Sequence, residues 1–237
     1  MKCCILALTL FLICQPAHAE ISEASFNETL TALQEIYRPK LLTDLGLNLH
    51  FESFWIRRSM IVSSQARKIG DEAVVFIDGE LAQKSQINRA AFILTVCHEF
   101  GHIYNDKPGE LRLKKEGLAD YWAAGCAAEF FGQNPTDPVD SVPTFLIEKC
   151  QTDGNISMTA CLQVASGIHS YAKFNGIDLS KGIDTRLNDR VSNSHLHPRP
   201  LCRVETFIAG LFGAEKPACI FKTGASKDPM PARSLVN

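Results

Sequence analysis

Apolar residues recur at helical spacing from residue 22 to 45. Phe26, Leu30, Leu33, Ile36 and Tyr37 fall on one face, with Asn27 and Glu28 near the start. Pro39 should interrupt or end this helix, because it has no N–H to donate and its ring crowds the preceding turn. The pattern changes over residues 48–78. Residues 49–56 alternate fairly, 59–66 and 73–77 less so, and Gly70-Asp71 and Asp78-Gly79 supply turns, so three short strands are expected. A turn or short helix from residue 80 then leads into an apolar helix over 90–104. A second, Ala-rich helix is expected over 115–131, a loop over 133–138, and helices over 142–149, 158–174 and 200–213. Residues 176–193 are rich in Asp, Asn and Ser and read as irregular chain, a candidate flap near a cleft. The tail after Lys222 is polar and expected to fray. No internal repeat or low-complexity block interrupts this order.

The first 19 residues stand apart. Lys2 supplies a short positive region, residues 3–13 are apolar but short for a bilayer, and Ala17-His18-Ala19 forms an A-x-A cleavage site. This reads as a cleavable signal peptide, with the mature chain starting at Glu20 as one domain over 20–237. Ile13 is not small, which disfavours a lipoprotein site at Cys14. No other apolar run is long enough for a membrane span, so a secreted or periplasmic protein is expected. A length of 237 residues is enough for a proper core, and a net charge of -2 gives no nucleic-acid signal. Of nine cysteines, six follow the signal: Cys97, Cys126, Cys150, Cys161, Cys202 and Cys219. An even number in an exported chain favours disulfides. Cys150–Cys161 is the first choice, since the stretch between them reads as a loop. Cys202–Cys219 and Cys126–Cys202 both stay open. Cys97 reads as a buried or bridged cysteine rather than a metal thiolate.

The chemistry concentrates in His98-Glu99-Phe100-Gly101-His102, an HExxH pattern at the end of the 90–104 helix. Residues four apart share a helix face, so both imidazoles can address one zinc ion while Glu99 polarises a water on it. In the next helix, Glu116 and Asp120 repeat the four-residue spacing. Glu116 with the two histidines makes the His2Glu set of a catalytic zinc, with the remaining position for water. Asp120 then holds one histidine by its far ring nitrogen, although ligation or a plain helix carboxylate stays open for it. Residues 106–109, Asp-Lys-Pro-Gly, form a turn that lets the two helices fold back on each other.

These motifs resemble the glutamate-zincin metallopeptidases. HEFGH followed by EGLAD looks most like the family of the CAAX prenyl endopeptidases and the bacterial heat-shock membrane protease. A third likeness is His197-Pro198 ahead of Arg203, and the three motifs come in the family's order over residues 90–210. The resemblance implies Glu116 as third ligand. It also implies an α+β, mostly helical zincin-like domain, with a small antiparallel sheet beside the active-site helix whose edge can pair with an extended substrate. The lack of membrane spans departs from the embedded members and implies a soluble, exported relative.

The expected activity is zinc-dependent cleavage of a peptide or protein substrate, with Glu99 as general base. His195, His197 and Arg203 are candidates to stabilise the oxyanion, and Arg203 can equally pair with a carboxylate across the core. His50 and His169 have no companions and read as structural. Tyr121 and Trp122 read as core aromatics. Asn27-Glu28-Thr29 and Asn155-Ile156-Ser157 fit the glycosylation sequon and matter only in a eukaryotic host. The alternatives are a catalytically silent zinc-binding module for a peptide or partner, and a disulfide-held structural module.

Overall fold

The computed structural model describes residues 21–56, 64–105, 109–135, 139–183 and 197–221. The expected signal, residues 59–63 of the second strand, residues 106–108 of the turn, His195, most of the candidate flap and the polar tail lie outside the described residues. The elements in order are α1 (Glu23–Leu45), β1 (Asn48–Phe54), β2 (Gln65–Ile69), β3 (Glu72–Asp78), α2 (Arg89–Asn105), α3 (Arg112–Gln133), α4 (Thr144–Thr152), α5 (Met158–Phe174) and α6 (Pro200–Leu211). A 3-10 turn follows at Ala218–Ile220. This is the expected α+β class, mostly helical with a small sheet.

α1 does not stop at Pro39. It is capped by the Ser22 hydroxyl, which accepts from the Ser25 N–H, and it runs on to a left-handed Gly46 (φ 68°). Proline removes only the bond to the Glu35 carbonyl, and both residues face solvent, so water takes over that acceptor. Burial of Tyr37 and Leu41 then carries the last turns.

The sheet order is β1-β3-β2. β2 and β3 form the expected antiparallel pair, with Ala66 opposite Val75, joined through Gly70 (φ 61°). β1 pairs parallel with β3, with Leu49 opposite Ala73 and Phe51 opposite Val75, so the sheet is mixed rather than wholly antiparallel. The tight turn at Gly70-Asp71 forces β2 back along β3. β1 takes the other edge, where its direction is set by docking and not by a hairpin. β3 is central and buried at Ala73, Val74, Val75 and Ile77. That explains its continuous apolar run and weak alternation.

α2 is buried on nearly every side, from Ala90 to Gly101 with Thr95 the exception, and forms the axis of the core. Its start is pinned to α5. The Asn88 side chain accepts from the Ala91 N–H and donates to Ser166 Oγ and Asp140 Oδ2. α3 lies antiparallel against α2. Cys97 is bonded to Cys126, and Gly101 meets Ala119, so positions rise on one helix as they fall on the other. A Cβ on Gly101 would lie 2.6 Å from Ala119 Cα and 2.7 Å from its carbonyl oxygen. The remaining bridges are Cys150–Cys161, as expected, and Cys202–Cys219, which removes the Cys126–Cys202 alternative. Three disulfides suit an oxidising compartment. Among the described residues no helix is long and apolar enough to cross a membrane.

Gly101→Ala tests the close approach of α2 and α3. Helix propensity alone would stabilise the variant by roughly 1 kcal/mol. The clash with Ala119 backbone should outweigh this and give a net loss of about 1–3 kcal/mol. Thermal unfolding should show a lower Tm, and an unchanged or higher one would mean that the helices separate freely.

Candidate metal centre

The antiparallel pairing of α2 and α3 sets two helix faces against each other, one with His98 and His102, the other with Glu116 and Asp120. His98 Nε2 lies 3.0 Å from His102 Nε2 and 3.3 Å from Glu116 Oε2, and His102 Nε2 lies 3.6 Å from the same oxygen. A tetrahedral ion with bonds of about 2 Å sets its donors roughly 3.3 Å apart, which matches this triangle. His98, His102 and Glu116 form a group that can hold a metal ion, the one such group among the described residues.

The donor chemistry fits as well. His98 Nδ1 lies 2.7 Å from Asp120 Oδ1 and donates to it, so in the neutral ring Nε2 carries a lone pair directed at the other two donors. Asp120 therefore serves His98 from behind. It is completely buried, and its second partner is Arg203, whose Nε and Nη2 donate to Oδ2 and Oδ1 at 2.8 and 2.7 Å. The guanidinium also stands over the rings of Tyr171 and Phe207, 5.5 and 5.9 Å from their centroids. Of its two expected roles, Arg203 thus takes the pairing with a core carboxylate. It acts on the site through Asp120 and His98.

His197 reaches the cluster from the solvent side. Its side chain is 48% exposed, and Nδ1 lies 3.2 Å from Glu116 Oε2. Arg112, on the first turn of α3, was not singled out by any motif. Its Nε lies 3.7 Å from Glu116 Oε1 and its Nη2 3.5 Å from His197 Nε2. Only the i, i+4 spacing from Arg112 to Glu116 hinted at it. Glu99, next to His98 on α2, is buried and close enough to feel the charge of both histidines and of Glu116. His50 is exposed on β1, and His169 donates to the Ser141 carbonyl at 2.7 Å, so neither joins the cluster. Trp122 packs against the core and stacks on Tyr104, while the Tyr121 hydroxyl donates to the Ala214 carbonyl.

The charges are tightly coupled. Burial would lower the His98 pKa, but the Asp120 and Glu116 carboxylates overcome it and raise the value to about 9. Burial pushes Glu99 up, against the neighbouring histidines. Glu116 is held well below the usual carboxylate range, because hydrogen bonds to His102 and His98 outweigh its burial. Asp120 is lowered too, since Arg203 and His98 override the cost of burial.

These shifts set the sign of the pH dependence. In the metal-free protein, the stabilisation from His98 is complete below its ordinary 6.5 and lost as pH rises through about 9. Glu99 shifts the same way. Glu116 and Asp120 contribute above their ordinary 4.5 and 3.8 and lose that contribution as pH falls. A metal ion competes with the His98 proton, so its stabilising effect should grow with pH. Thermal scans with and without a chelator should show the metal-free Tm falling from pH 6.5 to 9 while the metal-dependent increment widens. A constant increment would place the ion elsewhere. Asp120→Asn should weaken metal binding about 10- to 100-fold by chelator competition. Adding Arg203→Gln should recover part of the stability lost by stranding a part-buried guanidinium, but not the affinity. No family model, curated protein or solved structure matches the chain.

Proposed function

We propose that the protein is an exported, zinc-dependent hydrolase of peptide bonds. The observation that carries this reading is the triangle of His98 Nε2, His102 Nε2 and Glu116 Oε2, with the Glu99 carboxyl buried next to it. The likeness of HEFGH and EGLAD to the glutamate zincins supports it, and so do the signal-like leader and three disulfides. Three protein donors are the number found in catalytic zinc sites, whereas structural sites fill all four positions. Zinc held by these three residues would lower the pKa of a water and polarise the scissile carbonyl.

The remaining steps belong to the chain. Glu99 takes one proton from the attacking water as the water oxygen bonds to the acyl carbon. Its burial raises its basicity toward the working pH, which is what a general base requires. As the C–N bond breaks, Glu99 returns the proton to the leaving amine. His197, on the exposed side, supplies an N–H for the oxygen that gains charge in the tetrahedral intermediate. Asp120 keeps the His98 ring in the orientation and tautomer that ligation needs, and Arg203 holds Asp120. The substrate is a peptide or protein segment.

Zinc content and peptide hydrolysis, measured together, test the assignment. Glu99→Gln should keep about one zinc and lower kcat by at least 100-fold. Glu116→Ala should lose the zinc and the activity together. Full hydrolysis by Glu99→Gln, or wild type that takes up no zinc on reconstitution, would overturn the proposal. Zinc bound without cleavage of any member of a peptide library would leave metal-dependent partner binding in its place.

A further inference from the structure

The charged groups around the cluster differ sharply in exposure. The side chains of Glu116 and Asp120 are 7% and 0% exposed, and that of Arg203 is 21% exposed and fully engaged with Asp120. Arg112 is 57% exposed. A guanidinium carries five N–H donors in a planar fork suited to a carboxylate. Arg112 directs Nε and Nη2 inward, at distances of 3.7 and 3.5 Å, longer than a normal N–H···O bond. Nε thus addresses Glu116 Oε1 and Nη2 the His197 ring, neither at the distance of a full hydrogen bond. His197, also half-exposed, stands beside it and points Nδ1 to the same carboxylate.

Charge balance gives this arrangement a direction. Glu99, Glu116 and Asp120 face Arg112 and Arg203, and a bound divalent ion leaves the group with a positive excess. Glu116 would then be engaged by the ion, which releases Arg112 for another anion. Among the described charged groups of the cluster, Arg112 and His197 are the most open to solvent, whereas Glu99, Glu116 and Asp120 are buried.

We propose that Arg112 recognises a carboxylate of the substrate next to the scissile bond, which makes Arg112 a specificity-determining residue. This rests on the hydrolase reading for the site but concerns which peptides enter it. The carboxylate can come from a free C-terminus or from an acidic side chain.

The test uses the zinc-loaded mature protein carrying Glu99→Gln and two pairs of N-terminally labelled peptides. One pair differs only in a free or amidated C-terminus. The other differs only in an internal Glu or Gln, with both C-termini amidated. Binding is read by fluorescence anisotropy. In one pair the carboxylate member should bind about 10- to 100-fold tighter, the gain typical of a charge-assisted bidentate contact, and which pair shows it identifies the source. Added Arg112→Gln should abolish that difference, with zinc content and binding of the uncharged member unchanged. Arg112→Lys should restore part of it, and Arg112→Glu should favour a peptide with Lys at the discriminating position. Equal binding within both pairs, no binding, a difference that survives Arg112→Gln, or loss of zinc in Arg112→Gln would each overturn the proposal. In the last case Arg112 would instead be a support for Glu116. Failure of the wild type to cleave peptides would count against hydrolysis and leave this binding comparison to judge Arg112 separately.

Discussion

A carboxylate with no exposure to water, Asp120, joins three helices at one point. It sits on α3, accepts from His98 on α2, and is gripped by Arg203 on α6. A buried ion pair seldom adds net stability, but a broken one costs about 3–5 kcal/mol because the remaining charge is stranded. The pair therefore acts as a register pin. The packing that brings Asp120, Arg203 and His98 together also brings Glu116 to the two histidines.

Backbone proximity makes this possible. His98 and His102 belong to α2, Glu116 and Asp120 to α3, so the spacing of the two helices sets the distances between their donors. Gly101 lies between the two histidines in sequence and against Ala119, the residue before Asp120. The absence of a side chain at one position and a single methyl at the other draw the helices together at the level of the ligands. Cys97–Cys126 closes the same interface one residue before His98. The Ala-rich character of α3 was visible as a pattern, and here it becomes a distance between helices.

The site grades from rigid to accessible over a few ångströms. Behind the ligands, the Arg203 guanidinium is enclosed by Asp120, Tyr171 and Phe207. In front of them, Arg112 and His197 are half-exposed and bond at longer distances. Rigid support on one side fixes ring orientation and ligand spacing. Loosely held donors on the other can exchange partners without disturbing the core. That asymmetry is what a site needs if it is to hold an ion firmly and meet a changing partner.

Several features were legible from sequence because they depend on local periodicity. The four-residue spacings of His98 with His102 and of Glu116 with Asp120 fix which residues share a helix face, and the apolar stripes fix where most helices lie. Cys150–Cys161 followed from a short loop. Other features depend on residues that meet only after folding. Local spacing left Asp120 with three roles, and contact with His98 and Arg203 selected one. Arg203 had two roles until its fork met Asp120. Cys97 found Cys126 only because two helices pack antiparallel, and β1 runs parallel to β3 because docking rather than a hairpin sets its direction. Pro39 stayed inside α1 because the carbonyl it releases faces water while Tyr37 and Leu41, on the other face, are buried. Arg112 carried no motif; helix spacing places it beside Glu116, but it met His197 only when α3 and the segment before α6 came together. Sequence determines what a residue can do through its chemistry and its immediate neighbours. Tertiary structure decides which option is taken, because pairing, burial and electrostatic cost are properties of the groups that surround it in space.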